Sequence, residues 1–243
     1  MANVRIPTCG GEMPAYLAAP PSTGLVPGVI VLHDVGGMSQ DHRNQADWLA
    51  EAGFLAVAID LYHRGGPILC LRTIIRDAIA RSGPTFDDIE SARAWLSAQP
   101  GCNGRVGVIG FCMGGGFALM LVSGHGFSAA SINYGGKLPG DVDVFLTTAC
   151  PVIGSYGAKD RWNQGVANQL ECALERALVA HDVKEYPDAG HSFMNNHDSF
   201  WFKLLRYVDI AYNEHATLDA RRRIAAFFHT HLSAESCFRN ENG

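Results

Sequence analysis

Short apolar runs rich in Val, Ile and Leu recur along the chain and are separated by longer stretches in which apolar residues return every three or four positions. Continuous apolar runs of four to eight residues suit strands buried on both faces, and the three-to-four spacing suits helices with one buried side. The pattern predicts strands over 29–32, 54–59, 106–109, 129–133, 152–156 and 183–186, with helices over 41–52, 86–99, 113–122, 164–180 and 217–232. The segment 10–19 is expected as an antiparallel edge strand. Alternation of this kind implies an α/β fold: a mostly parallel central sheet with helices on both faces, in a single domain over residues 1–243. The segments 61–84 and 192–214 break the alternation, and such excursions in α/β domains tend to cover a pocket mouth.

Composition narrows the partners. The chain has 47% hydrophobic and 18% charged residues and a net charge of -5, so it is an ordinary globular sequence with no basic run. Nothing in it favours nucleic acid or an anionic membrane, which leaves small molecules as the expected ligands. The N-terminus lacks an apolar signal core and no stretch is long enough to span a bilayer, so a cytoplasmic location is expected. Seven scattered cysteines without a CxxC pair give neither a disulfide framework nor a zinc site. His229 and His231 would suggest a metal only with two further ligands, which the sequence does not offer; no metal or cofactor is expected. Oligomeric state is not legible.

The chemistry concentrates at Val106-Gly-Val-Ile-Gly-Phe-Cys-Met-Gly-Gly-Gly, where an apolar strand runs through Gly-x-Cys-x-Gly straight into a helix. This is the pattern of a nucleophile elbow with cysteine at its tip. The turn lifts the Cys112 thiol above the sheet, and the helix N-terminus beneath it favours a thiolate. A phosphate-binding loop of the dinucleotide type is the competing reading, but that loop belongs after the first strand of its domain, and this one follows the third. A thiol nucleophile needs a base, and the base needs an acid to orient it. The strand over 152–156 leads into Gly-Ala-Lys-Asp160, and that over 183–186 into Pro-Asp-Ala-Gly-His191. Nucleophile, acid and histidine thus follow three strands in the order of the α/β-hydrolases. Asp188 is the rival acid, on the same loop as His191 and too near in sequence to reach its far ring nitrogen.

Gly-Phe-Cys112-Met-Gly-Gly, Gly-Ala-Lys-Asp160, Ala-Gly-His191-Ser-Phe and Val-Leu-His33-Asp34-Val-Gly-Gly, with Ala58-Ile-Asp-Leu-Tyr62 and the final Ala-Phe-Phe-His-Thr-His-Leu, together resemble the dienelactone hydrolase (carboxymethylenebutenolidase) family over nearly the whole chain. The resemblance implies a minimal α/β-hydrolase fold and a Cys112–His191–Asp160 triad. It also implies an oxyanion hole made of the Val35 and Met113 backbone N–H groups. Asp34 stands where family members carry a glutamate thought to pair with the resting thiol. Being one methylene shorter, Asp34 is a candidate thiol-modulating carboxylate or, equally, a loop aspartate bonding local N–H groups. Dienelactone-cleaving members place an arginine shortly after His-Ser-Phe. Here the run continues Met-Asn195, which argues against dienelactone itself.

Arg64 and Arg81 are candidates to hold a substrate anion, and Tyr62, Met113, Trp162 and Phe193 candidates for the pocket wall. The expected activity is hydrolysis of small esters or lactones through a thioester acyl-enzyme. The alternatives are a broader esterase or thioesterase of the same fold, and a binding protein that keeps the scaffold without turnover.

Overall fold

A computed structural model describes residues 1–196 and 211–233. Its centre is one eight-stranded sheet in the order β1-β2-β4-β3-β5-β6-β7-β8. The strands are β1 (Ala2–Thr8), β2 (Gly11–Ala18), β3 (Val26–Leu32), β4 (Leu55–Ile59), β5 (Cys102–Phe111), β6 (Ala129–Asn133), β7 (Val152–Gly157) and β8 (His181–Tyr186). From β4 to β8 across the sheet all neighbours are parallel, while β2 pairs antiparallel with β1 and β4. The fold is the expected α/β arrangement.

Helices cover both faces. On one lie α1 (Gln40–Glu51) and α7 (Glu214–Leu232), whose Leu49, Ile224 and Phe228 are fully buried against Val29, Val31 and Ile109. On the other lie α2 (Gly66–Ala80), α3 (Pro84–Ser97), α4 (Met113–Met120) and α6 (Val166–Arg176), with a single helical turn, α5 (Val142–Phe145), before β7. Burial on both faces is why residues 29–32 of β3, all of β4 and residues 106–111 of β5 read as unbroken apolar runs.

Three sequence expectations change. β2 is not at the edge, because β1 pairs with it along its whole length. β1 shows only one fully buried side chain, Ile6, so it lacks the apolar run that marks a strand. The segment 61–84 contains α2, which was hidden because its N-cap Gly65 makes no side-chain capping bond and Leu69, Ile75 and Ile79 face outward beside the buried Cys70 and Ile74. In the segment 192–214, residues 197–210 lie outside the described residues. Residues 192–195 are buried. Among the described residues no helix is long and apolar enough to cross a membrane.

The order of the strands decides where chemistry can assemble. β3 and β5 are neighbours, yet the chain leaves β3 for α1 on one face and β5 for α4 on the other, which opens a crevice at their C-terminal ends. β7 and β8 are also neighbours, so the loops after them meet.

Candidate active site

The elbow is built by close backbone contact. Cys112 sits at φ 53° and ψ -111° between β5 and α4, a left-handed backbone that costs a β-carbon residue roughly 1–3 kcal/mol. It is held there on both sides: Cys112 N–H donates to Asn133 O (3.1 Å), and Gly116 N–H to Cys112 O (3.0 Å). The flanking glycines follow from distance alone. A Cβ on Gly110 would lie 1.9 Å from the Gly114 carbonyl oxygen, and one on Gly114 would lie 2.4 Å from that of Leu32. Met113 opens α4, so its N–H belongs to the first turn, where the helix has no acceptor to offer.

The neighbouring β7 and β8 loops bring the acid to the histidine. Lys159 N–H donates to Ala189 O (3.0 Å), and a Cβ on Gly157 would come within 2.4 Å of that same oxygen, so the two loops lie in direct backbone contact. Asp160 Oδ2 then lies 2.7 Å from His191 Nδ1. The carboxylate is fixed independently, accepting from Trp162 N–H at Oδ1 (3.0 Å) and from Asn163 Nδ2 at Oδ2 (2.6 Å). Asn163 also donates to the Tyr134 carbonyl (3.2 Å), tying the acid to the loop after β6. Asn163 was not anticipated. Its only signal is the spacing Asp160-x-x-Asn163, which equally describes a turn before a helix.

Electrostatics set the two charge states. Burial would raise Asp160, but its bonds to His191, Asn163 and Trp162 N–H outweigh this and hold it below the usual carboxylate range. Burial would lower His191, but the Asp160 hydrogen bond and the interaction with the Cys112 thiol win and push it up to about 9. An imidazole so placed carries its proton at neutral pH. Its Nε2 makes no bond of full hydrogen-bonding geometry among the described residues, although the Cys112 thiol is near enough to shift the ring's titration. Trp162, 58% exposed, sets its indole edge-on to His191 at 4.8 Å.

Tyr134 backs the site from within. Fully buried and left-handed at φ 43°, it places its ring 5.3 Å from that of His191 and donates its hydroxyl to Asn195. Asn195 in turn donates to Asp41 Oδ2 (2.6 Å). Asn195 is thus an interior amide that braces the His191 loop.

Other expected site residues fall elsewhere. Phe193 is fully buried between Tyr134 and Tyr186, at 5.5 and 5.1 Å, and is a core residue rather than a pocket wall. Arg64 grips Asp88 through Nε (2.8 Å) and Nη2 (2.6 Å), with His63 on the same buried carboxylate. Arg81 pairs with Asp141 (2.8 Å) over the Phe145 ring. Both arginines spend their charge on carboxylates of the protein. Tyr62 is buried, with its hydroxyl on the Val35 carbonyl rather than in open space. Asp34 is also buried; its Oδ1 accepts from Gly36 N–H (2.7 Å), and its Oδ2 stands 3.8 Å from His42 Nε2. His229 bonds Ala52 O, while the His231 ring packs on Phe227.

Residues 13–232 match the sequence profile described as the dienelactone hydrolase family. A Salmonella typhimurium protein provisionally named carboxymethylenebutenolidase is 31% identical over 204 residues, covering 77% of this chain and 76% of its own. The carboxymethylenebutenolidase of Pseudomonas putida is 27% identical over 207 residues, covering 81% and 87% respectively. A crystal structure of a provisionally named dienelactone hydrolase from Klebsiella pneumoniae superposes with a TM-score of 0.75 at 27% identity, over 93% of this chain and 97% of that one.

Proposed function

The chain belongs to the dienelactone hydrolase family, and from that premise we propose that Cys112, His191 and Asp160 are the triad of a hydrolase acting on small carboxylic esters or lactones. The observation that carries the reading is the pairing of a strained, helix-backed Cys112 with a His191 that is held protonated by Asp160 at 2.7 Å.

In this mechanism the Cys112 sulfur attacks the substrate carbonyl carbon, and the C=O π electrons move to the oxygen. The N–H groups of Val35 and Met113 receive that oxyanion. Collapse of the adduct breaks the C–O bond; His191 gives its proton to the leaving alkoxide, and a thioester remains on Cys112. Water then attacks the thioester with His191 as general base, and the thiolate leaves. Asp160 keeps the imidazole in one tautomer and stabilises its charge in both halves. A lactone differs only in that its alkoxide stays tethered to the acyl group. Relatives named carboxymethylenebutenolidase make lactones the first substrates to try.

Trp162 offers an exposed aromatic face at the mouth beside His191, suited to a flat or apolar substrate group. The carboxylate of Asp34 is assigned to holding its own loop, through Gly36 N–H and opposite His42.

The test is acid release over many turnovers from a panel of activated esters, lactones and thioesters, with Cys112→Ala alongside. The variant is expected to lose at least ~10³-fold in kcat. Equal rates in the two proteins would refute the nucleophile, and a single burst without turnover would mark a binding protein that traps its acyl group.

A further inference from the structure

We propose that His33 and Tyr62 are positioning residues that together aim the Val35 N–H into the oxyanion hole, a role that rests on the reading of Val35 given above. A donor to a developing oxyanion works only if its direction is fixed before the reaction. Val35 cannot fix itself by packing, since it is 49% exposed. Its direction must come from the peptide planes on either side.

In a trans peptide the C=O of one residue and the N–H of the next lie in one plane and point opposite ways. Whatever grips the Asp34 carbonyl therefore aims the Val35 N–H. That carbonyl accepts from His33 Nδ1 at 2.6 Å and from Gly37 N–H at 3.1 Å. The tautomer of His33 follows from its other nitrogen: Nε2 accepts the Leu61 N–H at 3.1 Å, so it bears no proton, and Nδ1 must be the donor. The ring is fully buried, which lowers its pKa against the pull of nearby carboxylates and keeps it in this neutral form.

The plane after Val35 is pinned as well. The Val35 carbonyl accepts from Tyr62 Oη at 2.8 Å, while the N–H of that same peptide, on Gly36, donates to Asp34 Oδ1 at 2.7 Å. The plane before Asp34 is held in turn by His42, whose Nε2 accepts the Asp34 N–H at 3.2 Å. Leu61 and Tyr62 both belong to the loop after β4, itself tightened by Tyr62 N–H donating to Asp60 Oδ1 (2.9 Å). One loop thus grips the other twice, once through the imidazole and once through the phenol.

Two further contacts fit. The Tyr62 ring packs on His33 at 4.9 Å, and its hydroxyl lies 4.0 Å from the sulfur of Met113, the other donor residue. Gly37, at φ 80°, wraps so closely around the phenol that a Cβ there would stand 2.9 Å from Tyr62 Cδ2. Burial, with the nearby carboxylates of Asp34 and Asp60, pushes Tyr62 up to about 12, so its hydroxyl remains a donor at working pH.

The test compares Tyr62→Phe and His33→Asn with the parent on p-nitrophenyl acetate and on its thiono analogue, in which sulfur replaces the carbonyl oxygen. Sulfur accepts hydrogen bonds poorly, so a working oxyanion hole favours the oxygen ester. Tyr62→Phe keeps the ring packing and removes one hydrogen bond; it should lower kcat for the oxygen ester about 10-fold to 100-fold, with KM within about 2-fold. The thiono ester should be hydrolysed nearly as before, so the preference for oxygen narrows. His33→Asn retains a donor near Nδ1 and should fall between Tyr62→Phe and the parent. An unchanged kcat in Tyr62→Phe, an equal loss on both esters, or a loss that tracks a lower Tm would overturn the proposal. Cys112→Ala separates the two readings: an inactive Cys112→Ala beside a fully active Tyr62→Phe defeats only this inference, whereas an active Cys112→Ala defeats the triad itself.

Discussion

His191 stands between the Asp160 carboxylate and the Cys112 sulfur in a buried setting, and its proton is the most informative titration in the molecule. Its pKa is raised from the ordinary 6.5 to about 9, burial being outweighed by Asp160 and Cys112. A raised histidine stabilises the fold fully below its unfolded value and loses that contribution as pH rises through the folded value, here between pH 6.5 and about 9. Asp160 has the opposite sign: its pKa is depressed, and its contribution is lost as pH falls through the folded value. In the proposed mechanism acylation takes the imidazolium proton for the leaving alkoxide, so kcat/KM should decline above about pH 9. Asp160→Asn removes the strongest support of that proton. It should move the alkaline decline toward lower pH and reduce kcat by ~10²-fold or more, read from pH–rate profiles of the two proteins. An alkaline limb that stays in place would show that Asp160 does not govern His191.

Among the elements, backbone strain gathers where strands end. Cys112, Tyr134 and Ser192 are three of the five described non-glycine residues with positive φ, and all three stand at the C-terminal edge of the sheet. Such strain persists only where the surroundings over-determine the backbone. Gly110 is the sharpest instance, because the atom that a Cβ would strike is the main-chain oxygen of Gly114 at 1.9 Å, which cannot yield without moving α4 off β5. Gly110→Ala should cost about 3 kcal/mol or more and abolish activity. Gly116 lies in the first turn of α4, where a Cβ would stand 3.1 Å from Gly135 O. Gly116→Ala should change stability by no more than about 1 kcal/mol, since a small clash is offset by better helix propensity. Urea midpoints of the two variants test the order. Equal losses would mean that close packing, and not the elbow, sets the need for glycine.

At the scale of the whole molecule, the sheet is sealed by helices on both faces and the chemistry is confined to one edge. Stability and activity are therefore separable by position. Phe228 on α7 is fully buried, 6.0 Å from Phe54, with α7 packed against β5, β6 and β7 on the face that α1 shares. Phe228→Ala should cost about 3–5 kcal/mol. Its kcat per folded molecule should match the parent at a temperature where both are folded, as shown by chemical denaturation and by turnover normalised to folded protein. A proportional fall in both would mean that α7 also positions the site.

Much of this was legible in the amino-acid order. The alternation of apolar runs with three-to-four spacing gave six strands and five helices close to their observed places, because burial on two faces keeps the middle strands predominantly apolar. The meeting of Asp160 with His191, on the same edge as Cys112, was legible too, since each residue follows a strand that parallel pairing must end on that edge. What the sequence did not determine depends on which loops become neighbours. Tyr62 reads as an apolar wall until the loop after β4 is seen beside that after β3, where its hydroxyl meets Val35 O. Arg64 and Arg81 read as open cations until Asp88 and Asp141 arrive from 24 and 60 residues away. β1 and α2 were missed for a related reason, since an edge strand and a partly exposed helix carry a weak one-dimensional pattern. Local order along a chain records burial and turn chemistry; the partner of a hydrogen bond or a charge is chosen by the packing of strands distant in sequence.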